Sequence, residues 1–157
     1  MHLLKRVVEE FLPRFFQSGV VLFLADGEPK YAYFKRAYLA KLGVTIDAAA
    51  KMPDVVVHDT ERNWLLLIEA VASAGPVDGK RRKELKELFR RSTAGLVFVT
   101  AFEDRVAFCR FGQQISWETE VWIASESDHI IHFNGERFLG PYPDVTSSAL
   151  AKISDSP

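Results

Sequence analysis

Asp54-Val55-Val56-Val57-His58-Asp59 and Trp64-Leu65-Leu66-Leu67-Ile68-Glu69-Ala70-Val71, joined by the polar Thr60-Glu61-Arg62-Asn63, decide the fold. The first run is β-branched. The second has no charged side chain until Glu69, as expected for a central strand covered on both faces. The polar link reads as a hairpin turn. With residues 60–63 as the turn, antiparallel pairing sets Asp59 against Trp64, Val57 against Leu66 and Asp54 against Glu69.

Downstream, Ala74-Gly75-Pro76-Val77-Asp78-Gly79 breaks the chain before a charged helix from Lys80 to about Arg91, whose apolar stripe is Leu85, Leu88 and Phe89. Gly95 to Thr100 is another buried strand, so strand, crossover helix and strand imply a parallel βαβ unit. Upstream, Leu4, Val7, Val8, Phe11 and Phe15 recur at helical spacing, predicting an amphipathic helix over 3–17 that Pro13 kinks or ends early. A strand (Val20 to Ala25), a turn (Asp26 to Pro29), a strand (Tyr31 to Phe34) and a short helix (Arg36 to Leu42) closed by Gly43 follow. A helix (Asp104 to Phe111) and strands Thr119 to Ala124 and His129 to Phe133 complete an α/β fold with a mixed sheet flanked by helices.

The 157 residues fit one domain, and 48% apolar with 26% charged residues excludes wholesale disorder. The net charge of −1 leaves no global basic field, so a nucleic-acid site has to be a local patch. A single cysteine, Cys109, excludes an internal disulfide and a Cys-cluster zinc site and suits a reducing cytoplasm. It reads as a buried small hydrophobe. The apolar runs are too short to span a membrane, and Glu9 and Glu10 interrupt the apolar stretch that a signal peptide needs. The chain therefore reads as soluble and cytoplasmic, with residues 1–142 as the domain and 143–157, rich in Ser and Ala, as a flexible tail.

Directly opposed residues point to one side of a sheet with Cβ atoms about 4.5–5.5 Å apart. Asp54 and Glu69 held that way repel unless a cation lies between them, and oxygen ligands in that arrangement suit Mg²⁺. In the other reading a shifted register leaves both acids at solvated strand ends.

Pro53-Asp54, a hairpin, and an acid near the end of an apolar strand resemble the PD-(D/E)XK nuclease motif. Five ordered blocks resemble more narrowly the catalytic region of the BsuBI/PstI-type restriction endonucleases: Met52 to Val56, Trp64 to Val71, Ala94 to Phe102, Ser116 to Ala124 and His132 to Tyr142. The resemblance runs from about residue 3 to 142. It implies a restriction-endonuclease-like core and Mg²⁺-dependent hydrolysis of phosphodiesters in double-stranded DNA. Asp54, Glu69 and the main-chain carbonyl of Ala70 would be the metal ligands. It also implies a homodimer on DNA and a cognate DNA methyltransferase in the same restriction-modification system.

Two features depart from the family pattern. The motif lysine falls at Val71, which cannot polarise water; Lys80 at the start of the next helix is the preferred substitute, with Lys83 one turn on. Members usually carry a helical region ahead of the nuclease domain, whereas this chain starts at that domain. A catalytically silent DNA-binding or protein-interaction domain with the same fold is the alternative.

The helix from Lys80 carries seven basic residues, among them Arg81 and Lys83, which are expected to contact phosphates, a solvated face being the other reading. Arg137 in its Gly-flanked turn is expected at a phosphate too, with a structural ion pair as its alternative. Glu9 or Glu10 is a candidate further metal contact, with surface charge the plainer role. His129 and His132, three apart in a strand, face opposite ways and do not chelate one ion together. Trp117 and Trp122 read as core or interface aromatics, base stacking being the other role open to them.

Overall fold

The computed structural model describes residues 2–25, 33–71, 75–135 and 141. The first helix comes in three pieces: α1 (His2–Arg6), a π-helical turn (Val7–Phe11) and α2 (Leu12–Phe15). Pro13 is the physical reason. It has no N–H, and its ring crowds the carbonyl four residues back. The wide turn just ahead of it lets the Leu12 N–H donate to the Val7 carbonyl instead. The helix ends two residues short of the expected boundary, at Phe15.

β1 (Gly19–Leu24) pairs antiparallel with β2 (Tyr33–Phe34), and the turn expected between them lies outside the described residues. α3 (Arg36–Lys41) stops at Gly43, whose φ of +91° favours glycine; a Cβ there would sit 2.4 Å from the Arg91 carbonyl oxygen. β3 (Val55–Asp59) and β4 (Trp64–Ala70) then form the expected hairpin in the expected register, from Asp59 opposite Trp64 to Val55 opposite Ile68. Asn63 closes the turn at φ 56°, a left-handed conformation that asparagine tolerates.

α4 (Gly79–Leu88) begins where the Asp78 carboxylate accepts the Arg81 N–H at 2.7 Å, and it ends three residues before the expected boundary. β5 (Gly95–Phe102) runs parallel to β4. α5 (Arg105–Phe111), β6 (Thr119–Ile123) and β7 (Ile130–Phe133) follow. Among the described residues the sheet has seven strands in the order β2-β1-β3-β4-β5-β6-β7, with β4-β5-β6 parallel and the other pairs antiparallel.

β4 is covered on both sides. Leu66, Ile68 and Ala70 pack with Leu4, Val7 and Phe11 of the N-terminal helix, while Leu65 and Leu67 pack with Leu39 of α3 and Leu85 of α4. Cys109 departs from expectation: α5 buries none of its residues fully, and the thiol is exposed. Trp122 is wholly buried, whereas Trp117 is 69% exposed on the turn before β6. Among the described residues no helix is long and apolar enough to cross a membrane. The expected tail over 143–157 lies outside them.

Candidate active site

Asp54 stands one residue before the β3 ladder begins, and the pairing of Val55 with Ile68 carries it to the level of Glu69. Its Oδ2 accepts the Ala70 N–H at 2.8 Å, and its own carbonyl accepts the Ala25 N–H at 2.8 Å. Glu69 lies close enough that the Asp54 charge raises its carboxyl. The two carboxyls expected to face each other are therefore brought together at the end of the hairpin. The Val71 N–H donates to Ala101 of β5, so the preceding residue's backbone groups face β3. Because a strand residue's N–H and C=O share an edge, the Ala70 carbonyl is directed to the side where Asp54 stands.

Glu69 is 5% exposed, and burial is the main influence pushing its carboxyl up to about 7, with the Asp54 charge adding to the rise and Arg81 opposing it. Burial also raises Asp54, against the Ala70 N–H and the Arg81 charge. Two buried acids with insufficient positive charge between them form a site that a hard divalent cation fits. Among the described residues no group of three or more His, Cys, Asp or Glu could hold a metal. A cation here would find two carboxylates and a main-chain carbonyl, a small donor set of the kind Mg²⁺ takes together with water and phosphate oxygens.

The raised Glu69 carboxyl has a consequence for stability. Between its ordinary 4.5 and about 7 the folded chain binds a proton that the unfolded chain has released. This group therefore makes stability fall as pH rises through that window. Urea denaturation of metal-free protein should find Glu69→Gln more stable than wild type at pH 8, by roughly 1–3 kcal/mol, and no more stable at pH 4.5. Equal stability at pH 8 would contradict a desolvated carboxylate at this position.

The expected cation, Lys80, does not touch the pair. Its side chain is 87% exposed and reaches Glu84 at 3.9 Å. Arg81 occupies that place: its Nε donates to Glu69 Oε1 at 2.7 Å, and its side chain is 10% exposed. α4 is capped by Asp78 and buries Arg81 and Leu85, one turn apart on the same face. Arg81, expected at a phosphate, donates here to Glu69, Glu84 and the Lys51 carbonyl. The clue in the sequence was its position one turn ahead of Leu85 on the apolar stripe, masked by the basic residues around it. Val71, in the motif lysine's position, is buried beside Phe102, Val121 and Ile123.

Lys80 and Arg81 share with Lys51 and Glu84 a cleft of about 210 Å³ beside the acids. Lys83 is exposed on the same helix. Arg137 lies outside the described residues. Of the first-helix acids, Glu10 binds Arg6, and Glu9 lines a groove of about 420 Å³ with His2, Lys5 and Ala25, the residue whose N–H donates to the Asp54 carbonyl. His132 pairs with buried Glu120 across β6 and β7.

Comparison with known proteins follows the same lines. SdaI restriction endonuclease superposes with a TM-score of 0.81 at 48% identity, covering 91% of this chain and 45% of that one. The type II restriction enzyme BsuBI of Bacillus subtilis is 54% identical over 140 residues, which are 89% of this chain and 44% of the relative. The type II restriction enzyme AplI of Arthrospira platensis is 34% identical over 144 residues, 87% of this chain and again 44% of the relative. The chain thus spans less than half the length of the curated relatives it matches. A family model described as BsuBI/PstI restriction endonuclease domain matches residues 1–136, which take in the hairpin, both acids and the helix bearing Arg81. The chain belongs to the BsuBI/PstI restriction endonuclease domain family.

Proposed function

We propose that this chain is the catalytic part of a type II site-specific endonuclease hydrolysing phosphodiester bonds in double-stranded DNA with Mg²⁺. The observation that carries the reading is the meeting of Asp54 and Glu69 at the end of one hairpin, in a family of restriction endonuclease domains. Asp54, Glu69 and the Ala70 carbonyl hold the ion. The ion supplies Lewis-acid stabilisation of the phosphate and activation of the attacking water. Asp54, anchored through Oδ2 to the Ala70 N–H, keeps Oδ1 for that task. Val71, packed among apolar neighbours, offers no polar group to the attacking water. Lys80 and Lys83 lie along the edge of α4 to bind phosphates, and Arg137 is a third phosphate contact. A restriction enzyme of this kind works in the cytoplasm beside a cognate DNA methyltransferase, and as a homodimer if its target is two-fold symmetric.

Lys80→Ala checks that arrangement. As a single exposed phosphate contact, its loss should weaken DNA binding several-fold and lower the log K against log salt slope by about one. Single-turnover cleavage at saturating protein should fall by about tenfold or less, because Lys80 does not reach the carboxylates. An unchanged salt dependence would remove Lys80 from the DNA surface.

Incubation of plasmid DNA with purified protein tests the function. Cleavage is expected with Mg²⁺, none in excess chelator, and binding with little cutting in Ca²⁺, whose looser coordination positions water poorly. A second reading, a silent DNA-binding domain that keeps the fold, is favoured by Val71 in the lysine position and by the Arg81 contact on Glu69. Tight DNA binding with no cleavage in Mg²⁺ would establish it.

A further inference from the structure

Arg81 is held by three partners in a fixed fork. Nε donates to Glu69 Oε1 at 2.7 Å, Nη2 to the Lys51 carbonyl at 3.1 Å and Nη1 to Glu84 Oε2 at 3.4 Å. Such a planar, buried cation differs from the exposed rim lysines, since its donors are already oriented. Only one of the three bonds involves a proposed metal ligand. The other two come from outside the acid pair and hold the guanidinium in place whatever Glu69 does.

Resting on the nuclease reading above, we propose that Arg81 is the resident counter-cation of Glu69 and, once displaced from it, the donor to the scissile phosphate. The divalent ion and Arg81 compete for the one negative charge of Glu69, so in this proposal Glu69 gives up the Arg81 Nε–H as the ion binds. Lys51 and Glu84 retain the guanidinium beside the site with Nε free to donate to a phosphate oxygen. Arg81 thus supplies the positive charge that Val71 cannot, and its contact with Glu69 keeps the pair from collapsing apart before the ion arrives. Arginine suits the later task because its planar, always-charged guanidinium keeps donors on protein groups while offering Nε–H to a phosphate oxygen.

The test is a cation titration of wild type, Arg81→Gln and Arg81→Lys at pH 8.5, where Glu69 is ionised, by calorimetry with Mn²⁺. Removal of the competing cation should make Arg81→Gln bind Mn²⁺ about tenfold tighter. The same variant should cleave at least about 10²-fold more slowly at saturating Mg²⁺, the scale for loss of one positioned donor. Arg81→Lys, which keeps the charge, should bind Mn²⁺ within about threefold of wild type. A merely structural arginine predicts the reverse for Arg81→Gln, weaker binding together with slower cleavage, and that result would overturn the proposal. If Arg81→Gln does not fold, wild type decides by NMR. The Arg81 Nε–H resonance, absent from Arg81→Lys, should shift and lose exchange protection on saturation with Mg²⁺; an unmoved, protected resonance would overturn the exchange. Wild type that binds no Mn²⁺ sensitive to Asp54→Asn removes the nuclease reading and this inference together, a result distinct from either of those.

Discussion

Asp54→Asn and Glu69→Gln should each lower the single-turnover rate of Mg²⁺-dependent plasmid cleavage by at least about 10³-fold while leaving the fold intact. Both substitutions are close in shape. Asparagine still presents a carbonyl oxygen to the Ala70 N–H, and glutamine still presents one to Arg81 Nε, so the local bonds survive. What each removes is the negative charge that a divalent cation needs, in a site that contributes few other ligands. Circular dichroism and DNA binding in Ca²⁺-free buffer should match wild type, which separates loss of chemistry from loss of structure. A Glu69→Gln protein that cuts within tenfold of wild type would show that the carboxylate is dispensable.

Trp122→Ala should have the largest effect on stability, about 3–5 kcal/mol. The side chain is fully buried on β6, with its ring 5.4 Å from that of Phe11 and its Nε1–H donating to the Ser127 carbonyl at 3.0 Å. It joins the N-terminal helix to the parallel half of the sheet, and the π-helical turn ahead of Pro13 ends at the ring it meets. Truncation leaves a cavity between two layers that are each fixed elsewhere, so the site cannot collapse to fill it. Urea denaturation should show a lower midpoint with an unchanged slope. A loss under about 1 kcal/mol would mean that the helix is not held by this contact.

The sheet was legible because its information is local. The Thr60–Asn63 turn and two runs apolar on both faces fix the hairpin register, and the register alone brings Asp54 to Glu69. The parallel crossover follows from the break at Gly75–Gly79 and the buried run after it. What escaped depends on helix phase and on burial, which spacing reports poorly. Pro13 signalled a disturbance in the first helix, but spacing alone does not say that the backbone answers it by widening into a π turn over Val7–Phe11. The choice between Lys80 and Arg81 turns on helix phase: Arg81 lies one turn ahead of buried Leu85 and reaches Glu69, whereas Lys80 faces solvent. Cys109 misled because α5 shields Phe102 with Phe108 and Phe111 and turns its thiol outward.

The central claim is that Asp54 and Glu69 jointly hold a divalent cation. Anomalous diffraction from crystals of the protein grown with Mn²⁺ tests it most directly. The account predicts one strong peak bridging the Asp54 and Glu69 carboxylates, next to the Ala70 carbonyl, with Arg81 Nε no longer on Glu69 Oε1. A crystal saturated with Mn²⁺ in which the peak lies elsewhere, and the 2.7 Å bond from Arg81 to Glu69 persists, would contradict it.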